Sequence, residues 1–187
     1  MKLNMGYGHN KMAGYLNVDL SPACDPDVVC DLEVLPWPWA DDSVDAVRFN
    51  HSLEHLGQLS RVFLGMMQEL YRVCQDGAEI EINVPHPRHD NFISDPTHVR
   101  IITPGTLRLF DRAACDEWKR IGAANSPLAH YLNVDFRLVR WNSVLADPYA
   151  AQFTKGELSE ETIDVIGREL NNIFVEYRIV MVARKSS

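Results

Sequence analysis

The chain has 187 residues, of which 46% are apolar, which suits one domain with one core. Eighteen Lys and Arg against 26 Asp and Glu give a formal charge of −8, which argues against a nucleic-acid backbone or an anionic membrane as the main partner, although a local basic patch stays open. No apolar run approaches the roughly 20 residues of a membrane span.

Strand and helix patterns alternate along the chain, as in an α/β sheet. Lys2–Met5 reads as a first strand, broken by Gly6 and Gly8, and Tyr15–Leu20 as a second, stopped by Ser21-Pro22. Only His9 to Gly14 separate Gly8 from that second strand, whereas a parallel crossover normally needs about a dozen residues. The spacing therefore predicts a first helix of a single turn, or a late start to the second strand. Val28–Asp31 and Val44–Asn50 follow as strands three and four. Ser60 to Cys74 predicts a helix, with Val62, Phe63, Met66, Leu70 and Val73 on one apolar face and Gly77 suited to a left-handed C-terminal cap. Glu79–Val84 alternates as a fifth strand ended by Pro85.

The segment 86–132 reads as an insertion above the sheet within a single domain spanning 1–187. Thr103-Pro104 fits a helix N-cap followed by proline, and Asp111 a cap for a helix running to about Gly122. Phe136–Leu145 and Phe174–Arg184 read as two last strands, with a helix near Ser159–Asn172 between them. The expected fold is α/β, with a seven-stranded, mostly parallel sheet and helices on both faces. The four cysteines, at 24, 30, 74 and 115, form no Cys-x-x-Cys pair, and Cys30 and Cys74 read as core residues. Reduced thiols and an N-terminus without signal-peptide architecture make the expected location cytoplasmic.

A strand ending in Gly6-Tyr7-Gly8 lets backbone approach a ligand closely, at the switch point where open α/β sheets bind ligands. Asp19, with Leu20 beside it, ends the second strand, where an acid can accept both hydroxyls of a ribose. Asp31 and Leu32 follow the third, placed to meet an adenine amino group and ring. Each acid alone reads equally as a turn residue. The glycine turn and the two acids, in order at successive strand tips, make a site.

These residues resemble a family. Leu3-Asn4-Met5-Gly6-Tyr7-Gly8 and Gly14-Tyr15-Leu16-Asn17-Val18-Asp19 look like the first two motifs of class I, Rossmann-like S-adenosylmethionine-dependent methyltransferases of the type 11-like kind. The resemblance continues through Asp31-Leu32-Glu33-Val34-Leu35-Pro36-Trp37-Pro38, Asp42–Val47, His51-Ser52-Leu53-Glu54-His55-Leu56 and Glu69–Cys74 with Gly77, and so covers about residues 2–85. It implies a sheet whose last two strands form an antiparallel hairpin, and S-adenosylmethionine as cofactor. Gly6 and Gly8 would contact the methionine end, Asp19 the ribose, Asp31 and Leu32 the adenine, and Asn50 and His51 the methionine and sulfonium. The sequence departs from the family in lacking the third glycine, near Asn10, and in placing Tyr7 between the first two, where its ring could stack over the ligand or partly block it.

Methyl transfer to oxygen usually needs a base, and histidine is best poised for that at neutral pH. His51 and His55, with Glu54, follow strand four; Glu54 and His55 also read as braces for a helix start. His86, His89, Asp90 and His98 lie in a polar stretch, 86–100, directly after strand five. That stretch reads as a substrate-binding, base-supplying loop, as a structural network, or as a divalent-metal site. Its spacing matches no metal motif, so no metal is assigned. Trp37 and Trp39 read as loop packing or as a stacking pair.

The expected partner is a small-molecule acceptor. A saccharide hydroxyl is the class implied by resemblance around Asp95-Pro96-Thr97-His98. Homo-oligomerisation stays open. Two alternatives stand beside an active methyltransferase: a catalytically degenerate binding module of that fold, and a nicotinamide-dependent enzyme, which leaves Asp31-Leu32 and Leu53-Glu54-His55 unexplained.

Overall fold

The computed structural model describes residues 1–185, so Ser186 and Ser187 of the expected 1–187 domain lie outside the described residues. Seven strands form one sheet: β1 Lys2–Met5, β2 Leu16–Asp19, β3 Val28–Val29, β4 Val44–Asn50, β5 Cys74–Pro85, β6 Phe136–Leu145 and β7 Phe174–Ala183. Their spatial order is β3-β2-β1-β4-β5-β7-β6. The first five are parallel; β7 runs antiparallel to both β5 and β6, so the last two strands form the expected hairpin.

Register sorts the side chains onto two unlike faces. Leu3, Met5, Val18, Val47, Phe49, Ile80, Ile82, Ile179 and Met181 share one face and are buried. Against it packs α1, Ser60–Val73, through Phe63, Met66, Met67, Leu70 and Val73, the stripe expected from the 3.6-residue period. The opposite face presents Asn4, Asn17, Arg48, Glu81 and Arg178. Its charges pair across strands, Arg48 with Glu81 at 3.7 Å and Arg140 with Glu79 at 3.9 Å. The chain crosses this face between β1 and β2 through residues 6–15, which contain no helix, and reaches β3 through the 3-10 turn Pro22–Cys24. Of the two expectations for the first crossover, the single-turn helix is absent and β2 starts later than Tyr15, at Leu16; the second crossover is a single 3-10 turn, and the sheet there is correspondingly polar.

Side chains substitute for the missing helix. Asn17 takes the Met12 N–H at 2.8 Å and the Asn4 side-chain amide at 2.9 Å. The Asn17 backbone N–H and side-chain amide both donate to Asp27 Oδ2, at 2.7 and 2.9 Å. Loop backbone that a helix would satisfy internally is therefore satisfied by two buried asparagines. Asp27 is held below the ordinary carboxylate range by the Asn17 backbone N–H first and its side chain second. A depressed folded pKa stabilises the fold above the unfolded value and loses that contribution as pH falls through the folded value. Urea unfolding should show wild-type stability falling below about pH 4 more steeply than that of Asp27→Asn. Parallel acid limbs would remove Asp27 from that role.

Two other expectations meet a different arrangement. The helix ends at Val73, and Cys74 goes straight into β5 in extended conformation. Gly77 is not its cap: it lies in an irregularity where the pairing jumps from Val44↔Cys74 to Ala46↔Glu79, with φ +77°. Burial pushes the Cys74 thiol up to about 12, while Cys30 is only half buried; all four cysteines are free.

The segment after β5 divides in two. Residues 86–100 fold over the strand tips and include the short helix α2, Asp90–Ile93. Beyond them come α3, Pro104–Arg108, capped by Thr103; α4, Arg112–Ile121, capped by Asp111 and ended by Gly122 at φ +73°; and α5, Leu128–Tyr131. In this second part Ile102, Leu107, Phe110 and Val134 join the main core cluster. Two further helices, α6 at Tyr149–Thr154 and α7 at Glu160–Glu169, link β6 to β7. Trp37 and Trp39 are buried edge to face, with the Trp37 indole donating to the Leu32 carbonyl at 2.9 Å, the packing role expected of them. Among the described residues no helix is long and apolar enough to cross a membrane.

Candidate active site

An open cleft of about 220 Å³ lies beyond the C-terminal ends of the parallel strands, lined by Gly6, Gly8, Asp19, Leu20, Asp31, Leu32, His51, Ser52 and His55 among others. Gly6 leaves β1 at φ +65° and donates to the Val18 carbonyl at 2.8 Å. A Cβ there would sit 2.7 Å from Ser52 Cβ, so glycine is required by both conformation and space. Ser52 donates to the Met5 carbonyl at 2.8 Å and ties the end of β4 to the end of β1. Asp19 accepts from the Gly8 N–H and the Ser21 N–H, both at 2.9 Å. It therefore shapes its turn and faces the cleft together; a carboxylate has about four lone-pair sites, so two remain for a ligand. Asp31 likewise accepts from the Glu33 N–H at 2.9 Å. Leu32 is buried at the cleft wall, and Leu20 is exposed at its rim.

Two of the donor-contact residues expected from sequence lie elsewhere. The Tyr7 ring is buried and its hydroxyl donates to the Cys24 carbonyl, so it neither stacks over the cleft nor blocks it. It lines a separate polar cleft on the opposite sheet face, with Asn4, Arg48 and Asn50. Asn50 accepts from the Asn83 side chain at 3.0 Å and points the same way. For Asn50 this follows from strand alternation, since it stands one residue after Phe49, whereas Tyr7 lies beyond the end of β1, after the left-handed turn at Gly6.

The histidines also divide. His51, in the left-handed region at φ +52°, sits between two carboxylates: Glu54 at 3.7 Å from Nδ1 and Glu176 at 2.8 Å from Nε2. Glu54 first, and Glu176 with it, raise the His51 pKa above its ordinary value against the opposing effect of burial. His55, on the 3-10 turn Leu53–His55, borders the same cleft. His98 joins them: its ring lies 4.6 Å from that of His55, because the Val99 and Arg100 N–H groups both donate to the Glu54 carbonyl at 3.0 Å and dock the 95–100 segment onto that turn.

His86, His89 and Asp90 are placed away from the cleft. His86 is buried between Phe174 and Tyr177, accepts from the Arg88 N–H, and has its pKa lowered by burial. His89 caps α2 by accepting from the Asn91 N–H at 3.0 Å, and Asp90 begins that helix with its N–H on Asn172. Of the three readings of the 86–100 stretch, its first half is a structural network and its second half faces the site.

The sequence pattern marks Glu54 only as a brace and does not mark Glu176. Glu54 is 1% exposed, and neither carboxylate oxygen accepts a hydrogen bond from any described residue. Its signal was the His51-x-x-Glu54-His55 spacing, with three polar donors on one tight turn. Glu176 has none, since it arrives from β7 at the far end of the chain.

The sheet order, with its single reversed strand and a cleft at the parallel tips, was compared with known proteins. No protein-family model matches the chain, and no curated protein matches it. Solved structures do. A SAM-dependent methyltransferase from Archaeoglobus fulgidus superposes with a TM-score of 0.59 at 20% identity, over 98% of this chain and 85% of that one. The chain has the class I methyltransferase fold. Phosphoethanolamine N-methyltransferase 2 of Haemonchus contortus, solved with S-adenosyl-L-methionine, shares that fold at a TM-score of 0.55 and 12% identity, over 98% of this chain and 48% of that one. So does the [4+2]-cyclase SpnF, at 0.56 and 13%, over 99% and 75%. The methyltransferase fold thus carries more than one reaction, and only the site can argue for one.

Proposed function

We propose that this protein transfers a methyl group from S-adenosylmethionine to a hydroxyl of a small-molecule acceptor, with a saccharide as the leading acceptor class. The observation that carries the reading is a single cleft joining the glycine turn after β1, Asp19 after β2 and Asp31-Leu32 after β3 to two imidazoles after β4. Gly6 and Gly8 would pass the methionine end, Asp19 would accept the ribose hydroxyls, and Asp31 with Leu32 would hold the adenine. His51, whose conjugate acid is stabilised by Glu54 and Glu176, would take the acceptor proton. The acceptor oxygen then forms its bond to the methyl carbon as the carbon–sulfur bond breaks. That electron pair returns to sulfur, leaving a methyl ether and S-adenosylhomocysteine. The donor is already activated, so positioning and exclusion of water are what the protein supplies.

Residues 86–132 would contribute the acceptor side through His98, within one domain. Net charge argues for a neutral or cationic small molecule over nucleic acid. A degenerate binding module is the second reading, favoured by the helix-free crossover at 6–15, which offers no helix N-terminus to the donor's carboxylate. Calorimetric titration with S-adenosylmethionine and S-adenosylhomocysteine, followed by mass spectrometry of an acceptor panel led by saccharides, tests both. Micromolar donor binding with methylated product supports transfer. Donor binding with every acceptor unmodified supports the module, and binding of neither ligand overturns transfer and shifts the weight to the module.

A further inference from the structure

Glu54, His55 and His98 each direct a ligand atom to one point, with all three atoms within 4.8 Å of one another. We propose that these residues form a binding site for a divalent first-row transition ion, bordering the donor cleft. Four features of the surroundings carry this.

The Glu54 carboxylate is buried and takes no hydrogen bond from any described residue, on either oxygen. Its charged neighbours are imidazoles outside hydrogen-bond distance, His51 Nδ1 at 3.7 Å and His98 Nε2 at 4.0 Å from Oε1, and a bound cation would offset the remaining cost of burial. Secondly, His98 Nδ1 lies 3.0 Å from the Phe92 carbonyl. A carbonyl only accepts, so a proton is on Nδ1, and in the neutral ring the lone pair is on Nε2, which lies 3.7 Å from Asp95 Oδ2 and 4.0 Å from Glu54 Oε1. Thirdly, His55 Nδ1 lies 3.0 Å from Thr97 Oγ1, whose own proton goes to Asp95 Oδ1 at 2.6 Å. The Thr97 oxygen must then accept from His55, which leaves the His55 lone pair on Nε2 as well. Outer partners of this kind, a backbone carbonyl and a carboxylate-backed hydroxyl, are what set the tautomer of metal-ligating imidazoles. Lastly, the turn and the loop are clamped together by the Val99 and Arg100 N–H bonds to the Glu54 carbonyl, so the donors converge without the ion.

Two imidazoles and one carboxylate suit Zn²⁺, Mn²⁺, Fe²⁺, Co²⁺ or Ni²⁺; Mg²⁺ and Ca²⁺ prefer all-oxygen shells. Bonds of about 2.0–2.2 Å require the three donors to close in on the ion, a side-chain adjustment at His55 and His98. Three protein ligands leave at least one position open. His55 lines the cleft, so that position would face an acceptor oxygen and acidify it. This role for the ion rests on the methyl-transfer reading; its binding does not.

Chelator-stripped protein titrated with Co²⁺, followed by d–d absorption, and with Zn²⁺, followed by calorimetry, tests the site. The expected result is about one ion per chain, weakened ~100-fold or more by Glu54→Gln and by His98→Ala, and about 10- to 100-fold by Thr97→Val, which removes only the oxygen that orients His55. His130→Ala, at a surface histidine paired with Asp116, should bind as wild type. Circular dichroism checks that each variant is folded, and the wild-type titration stands even if Glu54→Gln is not. Absence of ion binding by the wild type, or unchanged binding in both Glu54→Gln and His98→Ala, overturns the proposal. Titration of the same sample with S-adenosylmethionine separates it from the donor reading, because either ligand can fail alone.

Discussion

Gly6→Ala is expected to destabilise the protein by at least about 3 kcal/mol and to weaken donor binding by ~100-fold or more. Two costs add at this position. A side chain held at φ +65° costs about 1–3 kcal/mol of backbone strain. The new Cβ would also stand 2.7 Å from Ser52 Cβ, closer than two carbons can approach. Ser52 cannot swing aside cheaply, because its hydroxyl holds the Met5 carbonyl and its backbone begins the turn that carries Glu54 and His55. Relief of the clash would therefore displace both the donor side and the histidine side of the cleft. Gly8→Ala is the internal comparison: φ is +58°, but no heavy atom lies within 4 Å of the added carbon. It should cost only the strain, about 1 kcal/mol at the low end of that range. Urea unfolding and calorimetry on the two variants check this. Equal stability losses would show that the contact with Ser52 is unimportant.

Asp19→Ala should lower donor affinity by about 1–3 kcal/mol, the scale of a charge-assisted hydrogen bond left unmade. The geometry adds a second loss. The carboxylate also accepts from Gly8 and Ser21, so alanine leaves two backbone N–H groups to find water, at about 1 kcal/mol each for a half-buried turn. Asp19→Asn separates the effects. Its single carbonyl oxygen keeps one of the two backbone bonds and removes the charge, so stability should recover in part while donor affinity stays low. If both variants lose stability and neither loses affinity, Asp19 acts only through its turn.

Much of the architecture was legible because it rests on local pattern. Strand alternation, the apolar stripe of α1, the Thr103 and Asp111 caps and the glycine turn after β1 are short-range features, each with a stereochemical cause confined to a few residues. Gly77 was misplaced for an equally physical reason. A positive φ serves a helix cap and a strand irregularity alike, and only the pairing of β5 with β4 selects between them. The histidines of 86–100 divide on the same principle. His89 and His98 are alike in sequence, yet one caps α2 and the other meets Glu54, because the docking of residues 99 and 100 decides which ring faces the cleft.

The sequence alone determined the fold class, the order of the glycine turn and the two acids along the chain and the residues at the strand tips, since period, capping and glycine conformation act over one or two turns of chain. Tertiary structure alone decided the rest. It turned Tyr7 to the opposite sheet face, left the first crossover to asparagine hydrogen bonds instead of a helix, and brought Glu176 to His51 and His98 to Glu54 and His55. Those pairings join segments distant in the chain, and their geometry is set by strand register and loop docking, which no local pattern encodes.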